Sequence, residues 1–169
     1  MDATTPEGYG GYYAWGETSG KSYYSSDAYS YYNSNTGYVN IGSDIADTSY
    51  DVAHVRMGGS WRMPTIQQQM ELVDYCSRTW TQQNGVNGIL VTGPNGGQIF
   101  LPAAGYRWDD EPSITGSGIT GLHGYYWSSS LYPSSSYDYY AYYLIFYSSN
   151  WYWNYDIRFS GRSVRAVCP

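Results

Sequence analysis

Positive charge is scarce in this chain of 169 residues. Lys21 is its one lysine, Lys and Arg together number 8 against 14 Asp and Glu, and the formal net charge is −6. Binding to nucleic acid needs clustered Lys and Arg against the phosphates, so that class of partner is set aside. Long apolar runs are missing too: no stretch reaches the ~18 residues of a membrane span, which argues against membrane insertion. The two cysteines, Cys76 and Cys168, are too far apart for a CxxC redox or zinc motif. His54 and His123 are the only histidines, and neither stands in HExxH or HxxxH spacing, so no metal site is read. There is no GxSxG and no phosphate-binding glycine loop ahead of a helix. Met1 runs straight into "DATTPEGYGG", with no basic or apolar leader, so no signal peptide is read.

What the chain has instead is aromatic mass. Tyr numbers 23 and Trp 7, the aromatic fraction is 20%, and charged residues are only 13%. Disordered chains show the reverse balance, so a folded domain with a sizeable core is expected. Tyr offers contact area at low entropic cost and keeps a polar tip, the property that enriches it in paratopes.

Along the chain, "GYGGYYAWG" reads as a glycine-punctuated strand or turn, and residues 18–50 as long loops packed by their own aromatics. One helix is predicted after "GGSWRMPT". Thr65 is its N-cap, Gln68 has capping-box spacing, and Ile66, Met70, Val73 and Cys76 form an apolar stripe. "GILVTG" and "QIFLPAAG" read as strands joined by a turn at Asn95-Gly96. "GYYWSSS", "YYAYYLIFY" and "SVRAVC" read as further strands. In "YYAYYLIFY", Leu144 and Phe146 are taken as inward, with Tyr143, Ile145 and Tyr147 outward. The sum is an α+β domain, and no repeat of solenoid period is present. Two acidic groups, Asp109 to Glu111 and Asp44, Asp47 and Asp51, have the oxygen ligands calcium prefers, but read more simply as exposed acidic loops. No cofactor is implied.

"GGSWRMPTIQQQMELVDYC", "NGILVTGPNGGQIFLPAAGYR", "GYYWSSS" and "GRSVRAVCP" together resemble the C-type-lectin-fold variable proteins of diversity-generating retroelements. These are bacterial and phage proteins, distantly similar to the formylglycine-generating-enzyme domain. The resemblance covers about Gly8 to Pro169. It implies a single C-type-lectin-like domain over 1–169, with one main helix, short twisted antiparallel strands and long loops. Met1-Asp2 stands where such proteins have a first strand. The sugar motifs EPN and QPD are absent, and Trp153 to Tyr155 read WNY, so calcium-dependent sugar binding is not implied.

The resemblance also implies a non-enzymatic binding function with a variable segment over 124–160. Randomised template adenines at AAC codons give NNC, which encodes Tyr, Ser, Asn, Asp, Ile and Phe but not Lys, Glu, Gln, Met or Trp. None of Lys, Glu, Gln or Met occurs from Gly124 to Ser160. Tyr143, Ile145, Tyr147, Ser149, Asn150, Tyr152, Asn154, Tyr155, Asp156, Ile157, Phe159 and Ser160 are the expected ligand-binding positions, with Tyr132, Ser134, Ser136 and Asp138 as further candidates. Tyr142, Leu144, Phe146, Ser148, Trp151, Trp153, Arg158 and Gly161 are expected framework. The expected partner is a protein or glycan receptor on a cell surface, met from a phage virion or bacterial exterior. A fixed-specificity glycan lectin or adhesin is the alternative. Cys76 and Cys168 are either a disulfide joining the helix to the last strand or two buried thiols.

Overall fold

The computed structural model describes residues 2–108, 119–133 and 138–168. Their elements, in chain order, are β1 (Tyr32–Asn33), β2 (Gly37–Tyr38), α1 (Val52–Met57), α2 (Ile66–Tyr75), β3 (Ser77–Gln83), β4 (Val86–Thr92), β5 (Gln98–Pro102), β6 (His123–Leu131), β7 (Tyr140–Tyr147) and β8 (Trp151–Ile157). The strands form three small antiparallel sheets, ordered β1-β2, β3-β4-β5 and β6-β7-β8.

This corrects the expected class. The chain is predominantly β, not an α+β C-type lectin fold built on a main helix, because its helices have only 6 and 10 residues. Strands unread in the sequence account for the difference. β3 follows α2 directly and returns into β4 through Asn84-Gly85, whose φ values of 49 and 81° suit a tight hairpin. β8 pairs along its length with β7, where no strand was read. By contrast "SVRAVC" contributes only isolated bridges, Tyr126 with Ser163 and Arg62 with Val167.

Local chemistry explains the helices. Thr65 accepts from the Gln68 N–H, and the Gln68 side chain accepts from the Thr65 N–H, the expected capping box. α1 starts at Asp51, which is fully buried. Its carboxylate accepts from the N–H groups of Ala53, His54, Met63 and Asp47, so it organises backbone and is not an exposed calcium ligand. Asp47 faces Arg62 and His54.

Two apolar clusters meet at β7. Tyr13, Trp15, Ile45, Met63, Trp127, Ala141, Tyr143 and Ile145 pack on one side. Ile89, Val91, Leu101, Tyr126, Leu144 and Phe146 pack on the other, under Leu72, Val73 and Cys76 from α2 and its C-cap. Both faces of β7 are therefore core. The expectation of one inward and one outward face fails there: Tyr143 and Ile145 are 6% and 7% exposed. The physical reason is the N-terminal segment, which covers the face the alternation assigned to solvent. Buried polar tips find partners. Trp15 Nε1 donates to the Ser128 carbonyl at 2.9 Å, Trp127 Nε1 to that of Tyr13 at 2.9 Å, and Tyr126 Oη to that of Pro102 at 2.7 Å. Cys76 and Cys168 are both thiols, not a disulfide; Cys76 is half-buried and Cys168 exposed.

A candidate aromatic binding surface

The candidate surface is built on the hairpin β7-β8. Directly opposed residues of an antiparallel pair share a face. The register sets Tyr142 opposite Tyr155, Leu144 opposite Trp153 and Phe146 opposite Trp151. α2 and the β3-β4-β5 sheet cover the Phe146 end of this face. Beyond that cover the same row emerges into solvent, where Trp153 is 43% and Tyr155 40% exposed.

The emerging rings touch one another in series. Trp153 meets Tyr142 edge-on at 5.9 Å, and Tyr142 meets Tyr132 at 5.3 Å. Tyr132 stacks on Tyr155 at 3.9 Å. Tyr155 meets Tyr140 at 5.3 Å, and Tyr140 meets Tyr139 at 4.3 Å. The series continues through Tyr38 at 5.8 Å to Tyr32 in the β1-β2 hairpin at 5.0 Å. The Tyr132 hydroxyl is held above its ordinary range, chiefly by its hydrogen bond to Tyr155. These contacts organise the exposed rings into a single platform.

The opposite face of β8 carries Tyr152, Asn154 and Asp156, set against Ile145, Tyr143 and Ala141. Here the rings close around a cation. The Arg162 guanidinium lies 3.8 Å from the centre of the Tyr143 ring, 4.8 Å from Trp127, 5.0 Å from Tyr125 and 5.4 Å from Tyr106. It is paired with Asp156. Among the described residues its Nε and Nη1 have no hydrogen-bond partner, and the ring faces supply the compensating negative potential. A second buried guanidinium, Arg158, donates to the Tyr29 hydroxyl and to the carbonyls of Val39 and Asp138, which ties the β1-β2 region to the end of β8. The Tyr143 hydroxyl is pushed up by burial, an effect Arg162 partly offsets.

The expected ligand-binding positions therefore divide. Ser149, Asn150, Tyr152 and Tyr155 are exposed, and Tyr147, Asn154, Asp156, Ile157 and Phe159 are half-buried. Tyr143, Ile145 and Ser160 are buried and belong to the scaffold. Of the further candidates, Tyr132 joins the platform and Asp138 is exposed. Ser134 and Ser136 lie outside the described residues, as do Asp109, Asp110 and Glu111. Leu144, Phe146, Arg158 and Gly161 are buried as framework, whereas Trp153 and Ser148 are exposed and Tyr142 is half-buried. Sequence reasoning missed Tyr32 and Tyr38; their place was signalled only by the Asn35-Thr36-Gly37 turn between them.

Among the described residues no acid–base pair is gathered on this surface. His123 Nδ1 lies 3.2 Å from the Tyr125 hydroxyl, and His54 Nδ1 lies 3.9 Å from Asp47. A separate apolar cavity of about 90 Å³ lies under α2, between Leu72, Leu101, Tyr126 and Leu144.

Fold and surface together define a predominantly β domain with a tyrosine-rich aromatic face. Residues 67–167 match the model of a domain of unknown function, DUF8237, and the chain belongs to that family. No curated protein and no solved structure matches the chain.

Proposed function

We propose that this chain is a non-enzymatic binding domain that takes a receptor through the aromatic platform of β7 and β8. The observation that carries the reading is the continuous contact of Trp153, Tyr142, Tyr132, Tyr155 and Tyr140 on an exposed sheet face. Exposed aromatics packed against each other lose little side-chain entropy on docking, and such rings are the commonest hot spots. The exposed Ser149 and Asn150 lie in the adjoining turn and offer adaptable hydrogen bonds. The partner is a protein or glycan on a cell surface, and the domain works outside the cell, on a virion or bacterial exterior. The finer part of the proposal is diversification by a retroelement. It is supported by the absence of Lys, Glu, Gln and Met from Gly124 to Ser160.

The test uses Tyr132→Ala, Trp153→Ala and Tyr155→Ala combined, none of which removes a core residue. Wild-type and variant chains are applied to arrays of cell-surface proteins and of glycans. The expected result is a wild-type signal weakened at least about 30-fold in a variant that still unfolds cooperatively, since each ring is worth roughly 2 kcal/mol or more. Equal signals from both chains overturn the reading. A glycan-only signal, together with flanking DNA lacking a reverse transcriptase and a repeat differing at adenines, favours a lectin of fixed specificity.

A further inference from the structure

Among the described residues β8 lies at the edge of its sheet, and Asp156 is its one charged side chain. Its sequence, "WYWNYDI", has high strand propensity and no Lys or Pro. Exposed edges of this kind invite pairing with another chain. The direction of its N–H groups follows from the ladder. Tyr147 N–H donates to the Asn150 carbonyl at one end, and Arg158 N–H donates to the Tyr139 carbonyl at the other. Hydrogen-bonded and non-hydrogen-bonded pairs alternate between these points. Tyr152, Asn154 and Asp156 therefore bond to β7, while the N–H groups of Trp151, Trp153, Tyr155 and Ile157 point away from it.

Three of these four outward donors are already taken. Asn150 Oδ1 accepts from Trp151 N–H at 2.9 Å, Asn154 Oδ1 from Tyr155 N–H at 2.9 Å, and Asp156 Oδ1 from Ile157 N–H at 2.7 Å. In each case the side chain just before the outward residue supplies the acceptor. At the fourth position the preceding residue is Tyr152, which has no such oxygen in reach of its neighbour, and Trp153 N–H has no acceptor among the described residues.

We propose that Asn150, Asn154 and Asp156 are a lock on the β8 edge, closing it against strand addition by a second copy of this chain. An incoming strand would have to displace three intact hydrogen bonds to form its own, with only the Trp153 donor open to it. Three of the residues expected to touch ligand thus have a different duty, which a ligand survey would misread as binding. That the sheet then meets its partner by its faces and not its edge rests on the binding reading above; the lock itself does not.

The test is amide hydrogen exchange read residue by residue on the chain without any ligand, so its outcome is independent of whether the platform binds. In the wild-type chain, Trp151, Tyr155 and Ile157 are expected to exchange roughly tenfold more slowly than Trp153, the effect of one ordinary hydrogen bond. In N150A/N154A, measured at low protein concentration, Trp151 and Tyr155 are expected to rise to the Trp153 rate. At higher concentration sedimentation is expected to show dimers that the wild-type chain does not form. N150D/N154D keeps an acceptor at both positions and is expected to stay slow in exchange and monomeric. Asp156 is left in place because it also holds Arg162. Equally fast exchange at all four wild-type amides overturns the lock, as does an alanine variant that remains monomeric at every concentration.

Discussion

Tyrosine hydroxyls are the residue-scale feature with the widest reach. Burial, the largest cause, pushes Tyr38 and Tyr125 up to about 12, from the ordinary 10.0. It pushes Tyr126, fully enclosed in the core, further in the same direction. A raised folded value means that the unfolded chain gives up these protons first. The native state therefore keeps its full advantage below pH of about 10 and loses it progressively as pH rises from about 10 towards 12. The urea midpoint is expected to be flat in mildly alkaline solution and to fall through that window, with tyrosinate absorbance appearing alongside unfolding. A midpoint unchanged at pH of about 12 would contradict the burial of these rings. Which tyrosines would be buried was not legible in the sequence. Tyr142 and Tyr143 are neighbours of one type, yet one borders solvent and the other packs on Arg162. They face opposite sides of β7, and which side is covered was decided by distant segments.

At the scale of elements, what could be read depended on short-range signals. α2 was legible from its capping box, the β4-β5 hairpin from Asn95-Gly96, and β6 and β7 from their aromatic runs. α1 was not, because six residues carry too little periodicity and its Asp51 cap also serves Met63 and Asp47. β3 was signalled by Asn84-Gly85 but lacks apolar alternation, since its exposed positions are Ser, Thr and Gln. Sheet contacts also place a strict demand on Gly124. A Cβ there would come within 2.1 Å of the Phe146 ring. Phe146 is fully buried and has no room to retreat. Gly124→Ala is expected to lower unfolding free energy by about 1–3 kcal/mol, measured by urea denaturation. A neutral result would mean that β6 and β7 can slide apart.

For the whole molecule, the decisive fact is that two core clusters share one strand's side chains. β7 lends Leu144 and Phe146 to one cluster and Ala141, Tyr143 and Ile145 to the other. Loss of either cluster strips β7 of half its support. The chain is expected to unfold in one transition, with far-UV and near-UV signals coincident. Leu144→Ala is expected to shift that single transition by about 2–5 kcal/mol and not to reveal a second. Two resolved transitions would show that the sheets fold apart.

The two-sidedness of β8 has a consequence for how this protein can change. Its odd-numbered side chains issue to the platform and its even-numbered ones to the side of the Arg162 cage. Point substitutions can therefore remodel one surface while sparing the other, although the residues concerned are adjacent in the chain. A one-residue insertion in the Ser148–Asn150 turn is a different kind of event. If the turn keeps its length, the register with β7 slips by one and every side chain of the strand changes face, sending Trp153 and Tyr155 towards the cage and Asp156 out to solvent. Substitution explores this surface in small steps, and length change inverts it.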